Sequence, residues 1–380
     1  MVTPPQALFV SYTSLFGGAE RILLDDAAAL ADPVAAGGRV AARRSVALAC
    51  PEGPLTERAR AQGLTVLPLA RRRVELRTSA RDRIAAPLRI VAQARELRRV
   101  VAGLRPGCVI ASGMRALLSC SAALRGLGLR PPLVFVHNDL LPSPLVGRTV
   151  RAAARRADRI VALSRAIADD LDPDGRLGTA VEVVQPGVDL DRFAAAPLPA
   201  LPTALLLGAI VPWKRPDLAL EAVALATREL PGLRLQVAGA PIGAAGVELL
   251  AELEHRAAQP DLAGRVDLLG PVDDIPAALA DATCLLHCAD REPYGMALVE
   301  ALASGRPVVA PAAAGPLEIV DASCGVLYPP GDAHAAATAL VDVIARADQL
   351  GAAARARAEA HFDRATARAR FAALVDEVAR

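Results

Sequence analysis

The chain has 380 residues, 53% of them hydrophobic and 22% charged, with a formal net charge of +2. That length fits two domains better than one, and the near-neutral balance argues neither for nor against a polyanionic partner. Aromatic residues make up only 3%, which argues against a stacking platform for single-stranded nucleic acid and leaves the cores to Leu, Val, Ile and Ala.

Short apolar runs alternate with helical patterns along nearly the whole chain, as in βαβ units with parallel sheets. The first series of expected strands is Ala7–Ser11, Ser45–Ala49, Thr65–Leu69, Cys108–Ser112, Leu133–His137, Arg159–Leu163 and Val181–Gln185. Helices are expected between them at Ala19–Leu30, Leu55–Gln62, Ala85–Val101 and Arg148–Arg156. The stretch Ala194–Pro202 (AAAPLPALP), with three prolines and no polar side chain, reads as a linker. A second series follows, with strands expected at Ala204–Gly208, Leu233–Ala238, Val266–Leu269, Thr283–Cys288, Pro307–Ala310 and Gly325–Leu327. Its helices are expected at Pro216–Thr227, Val247–Ala257, Ile275–Asp281, Met296–Ala303 and Ala333–Ala347, and the tail Arg355–Arg380 reads as amphipathic helix. The expected fold class is therefore α/β, two doubly wound parallel-sheet Rossmann-like domains facing a cleft. The divisions are 1–193, a linker at 194–202, 203–354 and the tail 355–380. Ligands of such sheets bind beyond the carboxyl ends of the strands, at the switch in strand order.

Met1–Gln6 carries no basic n-region and Ala7–Tyr12 is a short apolar run, so no secretory signal is expected. No apolar stretch reaches the roughly 18 residues of a membrane span. Cys284, His287 and Cys288 have the look of a metal triplet, but on a strand the two cysteines face one way and His287 the other. Buried thiols in a reducing cytoplasm are the expectation. Asp172-Pro173-Asp174 and Asp189-Leu190-Asp191 spell Asp-x-Asp but fall in turns or strand-end loops, so no metal is expected there either.

Three segments carry candidate chemistry. Gly17-Gly18-Ala19-Glu20-Arg21 lies between a strand and a helix, where glycine amides can approach an anion. Lys214 follows a strand in Gly208–Arg215 (GAIVPWKR) and is the only lysine among 43 basic residues. In so arginine-biased a chain it suggests a task for a compact ammonium, such as holding a diphosphate. In Arg291–Gly305 (REPYGMALVEALASG), Glu292 and Glu300 flank a helix start at Tyr294-Gly295-Met296. Free amides and a positive dipole end there suit a sugar diphosphate, and ionised carboxylates suit sugar hydroxyls. A second glycine-opened helix start follows at Ala314-Gly315-Pro316, and His137 closes an expected strand facing the expected cleft.

Together these pieces resemble the retaining glycosyltransferases of family 4, with the GT-B fold, over nearly the whole chain. The resemblance rests on Gly17 through Arg21, His137, Ile160 through Ser164, Gln185 through Asp189 with Phe193, Gly208 through Lys214, Glu292 through Glu300, and Gly325 through Asp332. It implies that Gly17 and Gly18 line the phosphate and acceptor side, and that His137 supports the transferred sugar. It implies further that Lys214 holds the diphosphate, Glu292 the sugar with the backbone of Tyr294, Gly295, Met296, Ala297 and Leu298, Glu300 the ribose, and the backbone near Val272 the base. His137, Lys214 and Glu292 would be the catalytic set, and the last helix would cross back to the first domain. The implied partners are a nucleotide-sugar donor, uridine ahead of guanosine, and a lipid, glycan or small-molecule acceptor. The donor is a substrate, so the implied cofactor set is empty. The family's usual arginine after the glycine matching Gly208 is here Ala209, which removes half of the basic clamp.

From Arg71 to Arg99 ten arginines face Glu75, Asp82 and Glu96. This segment reads either as a solvated face or as peripheral contact with anionic lipid or a phosphorylated acceptor. Rival functions are a nucleotide-sugar epimerase or hydrolase of the same architecture and a non-catalytic sugar-nucleotide-binding partner subunit.

Overall fold

A computed structural model describes residues 6–31, 44–72 and 80–379. The chain forms two compact units, one of residues 1–186 with 365–380 and one of residues 187–364. The division falls at Pro186–Gly187, and residues 194–202 lie inside the second unit.

The first unit holds β1 (Ala7–Val10), β2 (Val46–Cys50), β3 (Thr65–Pro68), β4 (Cys108–Ser112), β5 (Leu133–His137), β6 (Arg159–Ala162) and β7 (Val181–Val183). They form one parallel sheet in the order β3-β2-β1-β4-β5-β6-β7. The inner strands β1, β2 and β5 are buried at every position. This is why they read as unbroken apolar runs: helices cover both faces of a parallel sheet. Strand order reverses between β1 and β4. Two further helices lie outside those expected from the sequence. Met114–Ala123 begins at Gly113 without a side-chain cap, whereas Arg165–Leu171 is capped by Ser164, whose hydroxyl accepts from the Ile167 amide at 3.1 Å.

The expected tail helix is two helices, Ala347–His361 and Arg364–Val378, with a break at Phe362-Asp363. The second packs within the first unit. Phe371 is 1% exposed with its ring 6.4 Å from that of Phe9, and Arg368 pairs with Asp25, Asp376 with Arg44 and Glu377 with Arg159.

The second unit holds β8 (Thr203–Leu207), β9 (Arg234–Ala238), β10 (Val266–Gly270), β11 (Cys284–Leu286), β12 (Val308–Pro311) and β13 (Gly325–Tyr328). Its parallel sheet runs β10-β9-β8-β11-β12-β13, so the switch lies between β8 and β11. Leu206, Leu220, Val223, Leu286 and Leu340 belong to its core, and Cys284 and Cys288 join them as buried thiols.

Residues 194–202 are tied down by Arg306, which is 1% exposed. Its guanidinium donates to the carbonyls of Leu279 (2.8 Å), Ala280 (3.1 Å), Ala196 (2.8 Å) and Pro197 (2.9 Å). It therefore ends the helix Ile275–Ala280 and anchors the proline-rich stretch at once. Replacing Arg306 by Lys keeps the charge but loses the planar fork, leaving buried carbonyls without donors at about 1–3 kcal/mol each. The variant should lower the thermal midpoint by about 5 °C or more; an unchanged midpoint would show that Arg306 does not anchor this stretch.

Candidate functional site

Because β8 and β11 are neighbours, the loops leaving their carboxyl ends must meet. The β8 loop passes through Gly208, Ala209 and a 3-10 turn, Pro212–Lys214. The β11 loop carries His287, Asp290 and Glu292. The Asp290 amide donates to the Trp213 carbonyl at 3.1 Å and joins the two. Lys214 and Glu292, 78 positions apart, then form an ion pair through Nζ and Oε2. The Lys214 stem runs past Gly208, and its ammonium sits 4.5 Å from the centroid of the Trp213 ring.

Glu292 is 8% exposed. Burial by itself would raise its carboxyl, but the Lys214 charge and the His287 contact outweigh burial and hold it at about 2. His287 Nε2 lies 3.3 Å from the same Oε2. Burial first, then Lys214, depresses the His287 imidazole against the pull of Glu292, so it is neutral. Its role escaped the sequence reading, which weighed it only as a metal ligand. The signal was present: like His137 on β5, it stands at a carboxyl end of a parallel strand. Among the described residues no group of three or more His, Cys, Asp or Glu is placed to hold a metal ion. Asp189 and Asp172 are spent on local turns, Asp189 accepting from the Asp191 and Arg192 amides and Asp172 from those of Arg176 and Leu177.

Beyond Glu292 the helix Met296–Ala303 opens from Gly295, whose φ of 114° lies in the left-handed region. Among the described residues, the amides of Gly295, Met296 and Ala297 have no hydrogen-bond partner, while those of Leu298 and Val299 donate to the Gly295 carbonyl. The open amides are thus the three residues before Leu298, whose side chain is fully buried. Tyr294 is buried, and its carbonyl leaves room only for a glycine at 315: a Cβ there would fall 2.0 Å from that oxygen. The Gly315 amide also donates to the Glu292 carbonyl at 2.9 Å, so the second glycine-opened turn buttresses the first. Glu300 is 3% exposed and already engaged within the chain. Val272 is half-buried just past β10, two strands from β8 on the same side of the sheet. Arg215, the residue nearest to a replacement for the missing clamp arginine, is spent elsewhere. Its guanidinium pairs with Asp217 at 2.9–3.1 Å and Asp290 at 3.3 Å.

The remaining expected residues lie in the first unit. The Gly17 amide donates to Glu20 Oε2 at 2.9 Å, so the chain's own carboxylate caps this helix start and occupies the amide expected to meet an anion. The Gly18 amide has no partner among the described residues. His137 is 0% exposed, with its ring stacked on Phe135 at 5.1 Å and neither nitrogen hydrogen-bonded among the described residues.

Known proteins resemble this chain in sequence family and in fold. The family description "Glycosyltransferase Family 4" matches residues 16–192, and "Glycosyl transferases group 1" matches residues 190–359. The chain is 35% identical over 254 residues to a D-inositol 3-phosphate glycosyltransferase of Streptomyces scabiei, covering 58% of this chain and 55% of that one. It is 36% identical over 225 residues to the enzyme of that name from Geodermatophilus obscurus, covering 54% and 49%. The chain thus spans about half the length of the curated relatives it matches. Anabaena HepE, solved in complex with UDP and glucose, superposes with a TM-score of 0.79 at 22% identity over 98% of this chain and 99% of that one. Sucrose-phosphate synthase of Thermosynechococcus elongatus gives 0.77 at 18% identity over 98% of each. Two parallel α/β sheets of this order make the fold GT-B. The chain belongs to glycosyltransferase family 4.

Burial depresses the His137 imidazole to about 3. Between that value and the ordinary 6.5, only the unfolded chain takes up a proton there, so stability falls as pH drops through this window. The contribution is about 1.4 kcal/mol per pH unit. Urea midpoints from pH 7 to pH 4 should decline less steeply for His137→Gln than for the natural chain, and equal slopes would contradict the buried neutral imidazole.

Proposed function

We propose that this chain moves a hexose-type sugar, with retention, from a nucleoside-diphosphate sugar to a hydroxyl of a lipid, glycan or small-molecule acceptor. The observation that carries the reading is the corner where Lys214, Glu292 and the open amides of Gly295, Met296 and Ala297 converge. An ammonium and a helix start neutralise a diphosphate, and a carboxylate already ionised accepts from sugar hydroxyls. UDP is the favoured donor base, which fits a structural neighbour solved with UDP and with UDP-glucose. Glu300 would meet the ribose, backbone near Val272 the base, and His137 with Gly17 and Gly18 the sugar and acceptor side. His137 has unsatisfied nitrogens but no accessible surface, so its contact with a sugar requires the side chains around it to shift.

In this mechanism the bond from the anomeric carbon to the leaving phosphate oxygen breaks as the acceptor oxygen approaches on the same face. The leaving phosphate takes the acceptor's proton, so the protein supplies neither nucleophile nor general base. Lys214 and the helix amides stabilise the charge that grows on the departing diphosphate. No metal enters this scheme.

Contact with an anionic membrane surface is a secondary proposal. Leu88, Val91, Arg95 and Arg98 follow helical spacing in the helix Ala80–Leu104 and are exposed. Arg98 donates to the Arg125 carbonyl at 2.6 Å and Arg72 pairs with Glu96, so part of the basic segment is spent internally. Arg73 and Arg77, and the side chains of Arg81 and Arg83, lie outside the described residues. Among the described residues no helix is long and apolar enough to cross a membrane. The chain should co-sediment with phosphatidylglycerol vesicles at low salt and be released at high salt; no binding at low salt ends this proposal.

Trp213 is the only tryptophan in the chain and touches Lys214. UDP should therefore change its emission, and Lys214→Ala should abolish that change. Lys214→Ala and Glu292→Gln should each lower sugar transfer from UDP-glucose by about 100-fold or more with the fold intact. Product analysis against an acceptor panel containing inositol phosphates reads the transfer, and normal turnover by both variants would overturn the site assignment. Donor consumed without an acceptor would instead favour the epimerase or hydrolase.

A further inference from the structure

Two nitrogens compete for one oxygen at this corner. Lys214 Nζ and His287 Nε2 both approach Glu292 Oε2, the imidazole at 3.3 Å. They differ in freedom. Lys214 sits on a long stem beside Gly208, with its side chain 20% exposed. His287 is held from both sides of its backbone: its amide donates to the Val309 carbonyl at 2.8 Å, and its carbonyl accepts from the Tyr328 hydroxyl at 2.9 Å. Its side chain is 5% exposed. The 3.3 Å approach falls short of a well-formed hydrogen bond, and Nε2 has no other partner among the described residues.

We propose that His287 is a positioning residue that holds the Glu292 carboxylate when Lys214 swings from it to the donor's diphosphate. The inference rests on the reading of Lys214 as the diphosphate clamp. A buried carboxylate that loses its ammonium partner is strongly penalised unless another donor takes its place. An imidazole nitrogen 3.3 Å from the same oxygen supplies that donor once the ring and carboxylate turn to align and complete the bond. Without it, Glu292 would retain Lys214, and the diphosphate would have to compete with a buried ion pair. His287 thus lets one cation serve two anions in turn, in a chain where Ala209 replaces the second basic group of the family's clamp and Arg215 is tied to Asp217 and Asp290.

The test is a double-mutant cycle on the full chain, with UDP as the probe and Trp213 emission or calorimetry as the readout. His287→Leu should weaken UDP binding about tenfold or more, and His287→Gln, which restores an N–H donor, should recover most of the loss. In the Glu292→Gln background no charge is left behind, so His287→Leu should have little further effect on UDP. Circular dichroism and the thermal midpoint report folding; if the leucine variant does not fold, His287→Asn, whose amide is too short to reach, takes its place. Unchanged UDP affinity, or the same loss with and without the Glu292 carboxylate, would overturn the proposal. Failure of the clamp reading is a different result: UDP binding that is absent from the natural chain or indifferent to Lys214→Ala.

Discussion

The second unit turns on a partly buried ion pair between Lys214 and Glu292. Such pairs give little net stability, because desolvating both charges offsets their attraction. Under the proposed function the pair is a site at rest, a cation and an anion holding each other until a ligand carrying both a diphosphate and hydroxyls separates them. Everything that positions the pair is structural. The switch in strand order makes β8 and β11 neighbours, the Asp290–Trp213 backbone bond joins their loops, and Gly315 lets the 313–316 segment pack under Tyr294.

The same economy appears elsewhere in this arginine-rich chain. Arg306 ties the proline-rich stretch to the end of the helix Ile275–Ala280 with one guanidinium, and Arg355 acts in the same way through the carbonyls of Leu190, Phe193 and Ala303 at 2.7–3.1 Å. Arginine suits this work because its fork serves several carbonyls at once. The lone lysine occurs where the proposed function calls for a single mobile point charge. Glu20, which bonds back to the Gly17 amide, shows the opposite solution: a helix start closed by its own carboxylate.

The alternating sheet pattern was legible because parallel strands are buried on both faces, so β4 and β5 could be read to the residue. The helix Met296–Ala303 was equally clear from Gly295 before it. The helix Met114–Ala123 was not, because its start has neither a polar cap nor a proline. Nor was the break at Phe362-Asp363, which depends on long-range pairing: the Val188 amide donates to the Phe362 carbonyl and the Arg364 amide to that of Val188. In the site, Lys214 and Glu292 could be singled out by residue type and loop position. His287 offered the strand-end position alone, because its contact with Glu292 is fixed by how the loop after β11 folds back.

The most direct test of the account is a crystal structure with UDP-glucose bound. The account predicts the diphosphate against Lys214 Nζ and the amides of Met296 and Ala297, with a sugar hydroxyl on the Glu292 carboxylate. A donor bound elsewhere, with the Lys214–Glu292 pair still closed, would contradict it.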